Sequence, residues 1–125
     1  MEFAIIRCGF GMNQTKQDDA QWFNNVKGCE ENNIPYGVYL YSYADTVKKA
    51  QSEAEHVLRL IKGHTLAYPV YYDIEEKAVL NKLTAEQLGK IAATFVNKVK
   101  AEGYQTGIYS NKSNFETCLL YTSPS

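Results

Sequence analysis

The sequence predicts an α/β protein in which parallel strands alternate with helices, with about four βα units present. Apolar segments begin near Phe3, Tyr36, Pro69 and Gln105, at separations of 33, 33 and 36 residues. Each of them is followed by apolar residues at helical spacing. This separation is the length of a βα unit, and crossovers of this kind build parallel sheets. Two architectures fit: a doubly wound open sheet or a (β/α) barrel of the TIM-barrel type.

The first unit begins with the apolar run FAIIRC, residues 3–8, which ends at a glycine. The segment 18–33 carries apolar residues at helical spacing, with Asp18 and Asp19 at its start. Acidic residues there favour a helix N-terminus because the helix dipole is positive at that end. The helix is expected to stop before Pro35, since the residue preceding a proline avoids the helical conformation.

The second unit begins with the strand YGVYLYSY, residues 36–43. Asp45 or Thr46 follows as the N-cap of a helix, because either side chain can accept a hydrogen bond from a free backbone N–H. One apolar face runs from Val47 to Ile61, and Gly63 is placed where a helix commonly ends.

The third strand is YPVYYDIE, residues 68–75, and it turns acidic as it ends. Thr84 and Gln87 have the spacing of a capping box, which predicts a helix from there to Gly103. The fourth strand is YQTGIYSN, residues 104–111, and a further helix is expected after it.

The composition and net charge of the chain exclude several kinds of protein. The chain has 125 residues, 45% hydrophobic and 22% charged, with a net charge of −1, which suits one folded domain. Acidic and basic residues are mixed, so neither a nucleic-acid-binding surface nor a membrane-binding surface is expected. No apolar run approaches the roughly 20 residues of a membrane span. The N-terminal residues show no signal peptide.

The cysteines and histidines suggest structural roles. Cys8, Cys29 and Cys118 form no CxxC pair, and no histidine lies close enough to them to suggest a zinc site. We expect free, mostly buried thiols, with a Cys8–Cys29 disulfide as the alternative. His56 and His64 fall on a helix and just past its end, where we expect surface side chains.

Polar and aromatic side chains gather where the predicted strands end: Arg7, Tyr41, Tyr43, Asp73, Glu75, Tyr109 and Asn111. Strand alternation places Tyr71, Asp73 and Glu75 on one face. Tyrosine rings stack on sugars, and a carboxylic acid can protonate a glycosidic oxygen, so this set favours a sugar site. Plainer interpretations also stand: a solvated loop start for the carboxylates, packing for the tyrosines, and a structural ion pair for Arg7.

Four blocks carry a resemblance to a known family: FAIIRCGFG, NNIPYGVYLYSYADTVKKAQSEAEHVL, YPVYYDIEE and GYQTGIYSN. In this order they resemble the muramidases of glycoside hydrolase family 25, the Chalaropsis-type lysozymes of bacteria and phages. The resemblance covers about residues 2–117. It implies an irregular, flattened (β/α) barrel that cuts the β-1,4 bond between N-acetylmuramic acid and N-acetylglucosamine in peptidoglycan.

The resemblance also implies roles for individual residues. Glu75 matches the proposed general acid of the family, and Asp73 matches the aspartate that orients or stabilises the reacting sugar. Mutual repulsion and partial burial are expected to raise one pKa and keep Glu75 protonated. The groove-lining positions match Arg7, Tyr41, Tyr71 and Tyr109. No metal or cofactor is implied. The implied partner is cell-wall peptidoglycan, met by a monomer outside the cell or in the cell wall.

Two departures from the family pattern create further expectations. The family's first strand, and later strands that carry another aspartate, have no counterpart here, so residues 1–117 are expected to be a partial catalytic domain, truncated at both ends and by itself inactive. The segment CLLYTSPS, residues 118–125, resembles a translated sequencing adapter and is expected to be a non-native tail.

Two functions of other classes remain as alternatives. The first is a non-catalytic module that binds peptidoglycan or another glycan through the same groove. The second is a metal-dependent phosphoryl or aldol enzyme with Asp73 and Glu75 as Mg²⁺ ligands, although the sequence has no phosphate-binding glycine loop.

Overall fold

The computed structural model describes residues 3–109, which form four strands, four α-helices and one 3₁₀ turn. The strands are β1 (Ala4–Phe10), β2 (Tyr36–Tyr41), β3 (Val70–Asp73) and β4 (Thr106–Tyr109). The helices are α1 (Trp22–Glu31), α2 (Val47–Ile61), α3 (Lys77–Leu80) and α4 (Ala85–Lys100). The 3₁₀ turn, Thr15–Gln17, lies between β1 and α1.

The four strands are parallel and lie side by side in the order of the chain, β1-β2-β3-β4. A doubly wound sheet reverses its strand order at a switch point, whereas a barrel adds each strand on the same side. Because right-handed crossovers in one direction place every helix on one face, this order is that of the (β/α) barrel. Of the two predicted architectures, the barrel type is therefore the one present in residues 3–109.

The sheet has one face buried under helices and one face without them. On the helix side, alternate strand residues form the core together with α1, α2 and α4: Ile6, Cys8, Val38, Leu40, Val70, Tyr72 and Ile108. Tyr72 stacks on Phe95 of α4, with ring centroids 3.8 Å apart and planes 4° from parallel. Burial of each such side chain contributes about 1.5–3 kcal/mol, so this layer supplies most of the stability of the sheet.

Both predicted caps are confirmed. The hydroxyl of Thr46 accepts a hydrogen bond from Lys49 N at 3.1 Å, and Thr84 and Gln87 make the reciprocal bonds of a capping box. Gly63 follows the end of α2 with φ = 85°, in the left-handed region that favours glycine. Local hydrogen bonds of this kind depend on neighbouring residues only, which is why sequence spacing finds them.

Several predicted boundaries are wrong. The first helix begins at Trp22 rather than near residue 18. Strand β1 runs on to Phe10 through an irregularity after Arg7, so Arg7 lies beside Tyr39 within the sheet. The third strand stops at Asp73 rather than at residue 75, and the short helix α3 follows it. The helix expected after residue 111, the tail 118–125 and Cys118 lie outside the described residues.

The cysteine prediction holds for two residues, and the histidine prediction fails for one. Cys8 and Cys29 are free, buried thiols, which excludes the disulfide between them. His56 is fully buried instead of lying on the surface. His64 is 26% exposed and binds Glu30 at 2.9 Å. No helix within the described part of the chain is long and apolar enough to cross a membrane.

Candidate active site

A cavity of about 680 Å³ opens on the face of the sheet that carries no helices. Eight residues line it: Phe3, Ile5, Tyr39, Tyr68, Tyr71, Asp73, Glu75 and Tyr109. Four of the six predicted site residues, Tyr71, Asp73, Glu75 and Tyr109, are therefore brought together. They meet because β3 and β4 are neighbours in register, with Asp73 opposite Tyr109. Strand alternation then turns their side chains to the same side.

Asp73 and Glu75 form a carboxyl pair on the cavity wall. Asp73 is the last residue of β3 and is only 6% exposed, whereas Glu75, two residues later, is half-buried. Burial, a hydrogen bond with Glu75 and the Glu75 charge together raise the pKa of Asp73 to about 8. A buried carboxyl next to a second carboxyl holds its proton because burial and like charge both disfavour its ionised form.

The carboxyl group whose pKa is raised is not the one that the sequence analysis predicted. We expected the pair to keep Glu75 protonated, but the pKa that rises is that of Asp73. The reason is burial, since the neighbouring strands β2 and β4 enclose Asp73. Within residues 3–109, no group hydrogen-bonds Asp73 Oδ1, which is also buried. A proton on this carboxyl lowers the cost of leaving that oxygen without a donor.

Arg7 lies to the side of the cavity and does not line it. Its Nε donates to Asp19 Oδ2 at 2.7 Å, and this bond raises the pKa of Arg7. The side chain of Arg7 is 48% exposed and that of Asp19 is 12% exposed. Arg7 is thus an ion-pair partner of Asp19, and its charge also acts on the cavity residue Tyr39.

Tyr41 also lies outside the cavity lining. Its hydroxyl donates to Glu76 Oε1 at 3.1 Å, and its ring lies 5.2 Å from that of Tyr43. Burial and the bond to Glu76 raise the pKa of Tyr41 to about 12. The ring of Tyr43 in turn meets Phe10 edge-on at 6.1 Å. These three rings form an aromatic group at the ends of β1 and β2, next to the carboxyl pair.

Sequence reasoning did not assign four residues that line the cavity: Phe3, Ile5, Tyr39 and Tyr68. Ile5 and Tyr39 share the open face by alternation, so the pattern that selected Tyr41 could have selected them too. Phe3 and Tyr68 stack at 4.7 Å from segments that precede two different strands, and no local pattern predicts that contact.

A second carboxylate is buried on the opposite, helix-covered side of the sheet. Glu53 of α2 is fully buried and accepts hydrogen bonds from Ser42 Oγ, Tyr43 N and the Tyr72 hydroxyl. Burial raises the pKa of Glu53, while these donors act to lower it. The group fixes the chain just after β2. For metal binding, residues 3–109 hold no group of three or more His, Cys, Asp or Glu side chains arranged around one ion.

Residues 2–124 match the family model described as glycosyl hydrolases family 25. A search of the curated proteins found no match. Among solved structures, the modular autolysin LytC from Streptococcus pneumoniae is 33% identical, with a TM-score of 0.77. The alignment covers 93% of this chain and 28% of LytC. A second LytC structure contains a synthetic peptidoglycan ligand and is 32% identical, with a TM-score of 0.74, covering 93% of this chain and 28% of that chain.

A phage protein of lower sequence identity also shares the fold. The catalytic domain of endolysin ply40, from bacteriophage P40 of Listeria monocytogenes, is 23% identical with a TM-score of 0.78. The alignment covers 98% of this chain and 59% of that domain. The chain thus spans less than two thirds of the length of each of these structures.

Proposed function

The chain belongs to family 25 of the glycosyl hydrolases, and on that basis we propose that the full-length protein is an N-acetylmuramidase. Its reaction is hydrolysis of the β-1,4 bond between N-acetylmuramic acid and N-acetylglucosamine in bacterial peptidoglycan. The observation that carries the proposal is the carboxyl pair Asp73–Glu75, one member of which holds a proton, on the wall of an aromatic cavity.

In the proposed mechanism, Glu75 is the general acid. The pair keeps one proton at neutral pH, and the half-buried Glu75 is the member that substrate can reach. As the bond between the sugar C1 and the glycosidic oxygen breaks, the proton held on Asp73 crosses the hydrogen bond between the two carboxyls, and Glu75 delivers it to that oxygen, which leaves as an alcohol. Asp73 then carries negative charge next to the positive charge that develops on the sugar ring. Water adds its hydroxyl to C1, and its remaining proton returns to the carboxyl pair.

The aromatic residues orient the sugar. Tyr71 precedes Asp73 on β3 and Tyr109 lies opposite Asp73 on β4, and both line the cavity, so a sugar ring held against them presents its glycosidic bond to Glu75. Arg7 and Tyr41 lie to the side, where a guanidinium and a hydroxyl can bind the polar groups of the glycan. Holding the bond in this orientation lowers the entropy cost of reaching the transition state.

The proposed partner is the peptidoglycan of the cell wall, which the protein meets as a monomer, outside the cell or in the wall. The peptidoglycan ligand in the LytC complex supports this choice of substrate, as that structure is 32% identical to the chain. No metal or cofactor takes part in the proposed reaction, so activity on peptidoglycan should survive EDTA. Loss of activity in EDTA would instead favour Mg²⁺ bound by Asp73 and Glu75.

The test is release of new reducing ends from purified peptidoglycan by the full-length protein. Glu75→Gln should lower the rate by about 10²–10⁴-fold because the substituted amide has no proton to donate. Glu86→Gln is the matched control, since Glu86 is an exposed carboxylate in the first turn of α4. Retained activity in Glu75→Gln would reject Glu75 as the acid. Binding to peptidoglycan without new reducing ends in the wild type would favour a glycan-binding module.

A further inference from the structure

Two polar side chains on α2, His56 and Arg59, face the loop that leaves β1. His56 is fully buried, and its ring bridges two groups of that loop. Nδ1 lies 2.9 Å from the carbonyl oxygen of Gly11, and Nε2 lies 2.7 Å from Asp18 Oδ1. A carbonyl oxygen can only accept, so Nδ1 is the donor in the first contact. The ring therefore ties both ends of this loop to the helix.

Arg59, about one turn further along α2, binds the same carboxylate through both of its oxygens. Its two terminal nitrogens donate to Asp18 at 2.6 and 3.1 Å, and its Nε donates to Asn13 Oδ1 at 2.7 Å. Burial acts to raise the pKa of Asp18, but the bonds from Arg59 and His56 outweigh it and lower the pKa. A two-pronged Arg–carboxylate contact fixes orientation as well as distance.

The next residue along the chain connects this anchor to the candidate site. Asp19 N donates to Cys8 O at 2.9 Å, and Asp19 Oδ2 accepts from Arg7 Nε at 2.7 Å. Arg7 in turn lies opposite the cavity residue Tyr39 in the sheet. Contacts therefore run without interruption from α2 through Asp18 and Asp19 to the guanidinium beside the cavity.

The backbone next to His56 is adapted to this arrangement. A Cβ on Gly9 would lie 2.9 Å from His56 Cε1 and 2.6 Å from Gln17 O, closer than real contacts allow. Gly9 also pairs with Asp18 in an isolated antiparallel bridge. Only a glycine lets the ring and the returning loop approach β1 this closely.

We infer that His56 and Arg59 are positioning residues for glycan binding: by fixing Asp18 they set Asp19, which holds the Arg7 guanidinium at the β1 side of the cavity. This inference rests on the proposed function and on the role proposed for Arg7 in binding the glycan. It predicts that loosening α2 from the loop weakens substrate binding, although neither His56 nor Arg59 touches the substrate.

The kinetic test uses Arg59→Gln in the full-length protein. Arg59 is 36% exposed, so its replacement leaves no buried cavity. KM for soluble peptidoglycan fragments should rise about 3–10-fold while kcat changes less than about twofold, since a binding group is displaced and the acid is not. Arg59→Lys should restore only part of the affinity, because an ammonium cannot make the paired contact. The KM of His56→Gln, which keeps a donor toward Asp18, should lie between the values for wild type and Arg59→Gln.

His64→Gln is the matched control. His64 also binds a carboxylate, Glu30 at 2.9 Å, but Glu30 belongs to the last turn of α1 and takes no part in the contacts from Asp18 to Arg7. Its substitution should leave KM unchanged. An equal rise of KM in His64→Gln and Arg59→Gln, or no rise in Arg59→Gln, would overturn the inference. The contacts of His56 and Arg59 would then contribute only to the stability of the fold.

Amide hydrogen exchange separates this inference from the proposed function. In Arg59→Gln and His56→Gln, exchange should quicken about tenfold at residues 11–19 and stay as in wild type in α4. Unchanged exchange at residues 11–19 would contradict the anchoring role. If the wild type releases no reducing ends, the proposed function fails, and the exchange result still decides whether α2 holds the loop.

Discussion

Two buried carboxyl groups lie on opposite sides of β3, and they differ in what surrounds them. Glu53 lies on the helix side, where the hydroxyl of Tyr72 reaches it, and is fully buried. Asp73 lies on the cavity side, one residue after Tyr72, and is 6% exposed. Burial raises the pKa of both groups.

The partners of the two groups explain the difference. Glu53 accepts hydrogen bonds from three donors and fixes the chain after β2. Asp73 has a second carboxyl, Glu75, as its neighbour, and within residues 3–109 its Oδ1 has no hydrogen-bond partner. A buried carboxyl with a full set of donors stabilises the structure, whereas one without them retains a proton that chemistry can use. The same substitution, carboxyl to amide, should therefore have opposite effects at the two sites.

The largest expected effect is at Glu53. In Glu53→Gln, one acceptor oxygen becomes an NH₂ group that faces other donors in a site without water access. The free energy of unfolding should fall by about 3 kcal/mol, measured by urea denaturation at pH 7. Glu55→Gln is the control, because Glu55 lies on the same helix and is 55% exposed. A loss below about 1 kcal/mol for Glu53→Gln would show that the three hydrogen bonds matter little.

Asp73→Asn should have the opposite sign. A folded pKa of about 8, against the usual value near 3.8, means that the folded protein binds a proton that the unfolded chain has released. That contribution to stability is complete below the unfolded pKa and is lost as the pH rises through about 8, by at most about 1.4 kcal/mol per pH unit. Asp73→Asn removes this loss and should raise the free energy of unfolding at pH 7 by about 2 kcal/mol.

Unfolding of wild type and Asp73→Asn at pH 5 and pH 8 checks this prediction: the wild type should lose more stability between the two than Asp73→Asn. Asp45→Asn is the contrasting control. The bond from Lys49 lowers the pKa of Asp45, so its contribution is present at neutral pH and is lost as the pH falls. Asp45→Asn should therefore lower the free energy of unfolding slightly at neutral pH. If Asp73→Asn were less stable than wild type at pH 8, Asp73 would have to be ionised in the folded protein.

The smallest change in the free energy of unfolding is expected for Tyr72, whose hydroxyl binds Glu53 and which directly precedes Asp73 in β3. Tyr72→Phe removes the hydroxyl that binds Glu53 but keeps the ring stacked on Phe95. We expect a loss of about 1–2 kcal/mol. Tyr36→Phe is the control, because the Tyr36 hydroxyl binds Glu30, which is 45% exposed, and it should cost less. Equal losses would mean that burial of the bonded partner does not set the value of these bonds.

The sequence predicted the features that neighbouring residues control. The caps at Thr46 and Thr84 depend on hydrogen bonds within one turn of helix. The shared face of Tyr71 and Asp73 follows from strand alternation, and it correctly predicted their meeting with Tyr109 in one cavity. The boundaries were less accurate where distant contacts intervene. Asp18 has the spacing of a helix start, but it binds His56 and Arg59 instead, some 40 residues later in the chain.

The sequence by itself determined the α/β class, the βα repeat and which residues of one strand share a face, because all three follow from local periodicity. Only the tertiary structure decided the order of the strands, the buried role of His56 and which carboxyl has the raised pKa. Burial and hydrogen-bond partners come from segments far apart in the chain. A pKa or an ion pair depends on those surroundings, and no spacing along one segment encodes them.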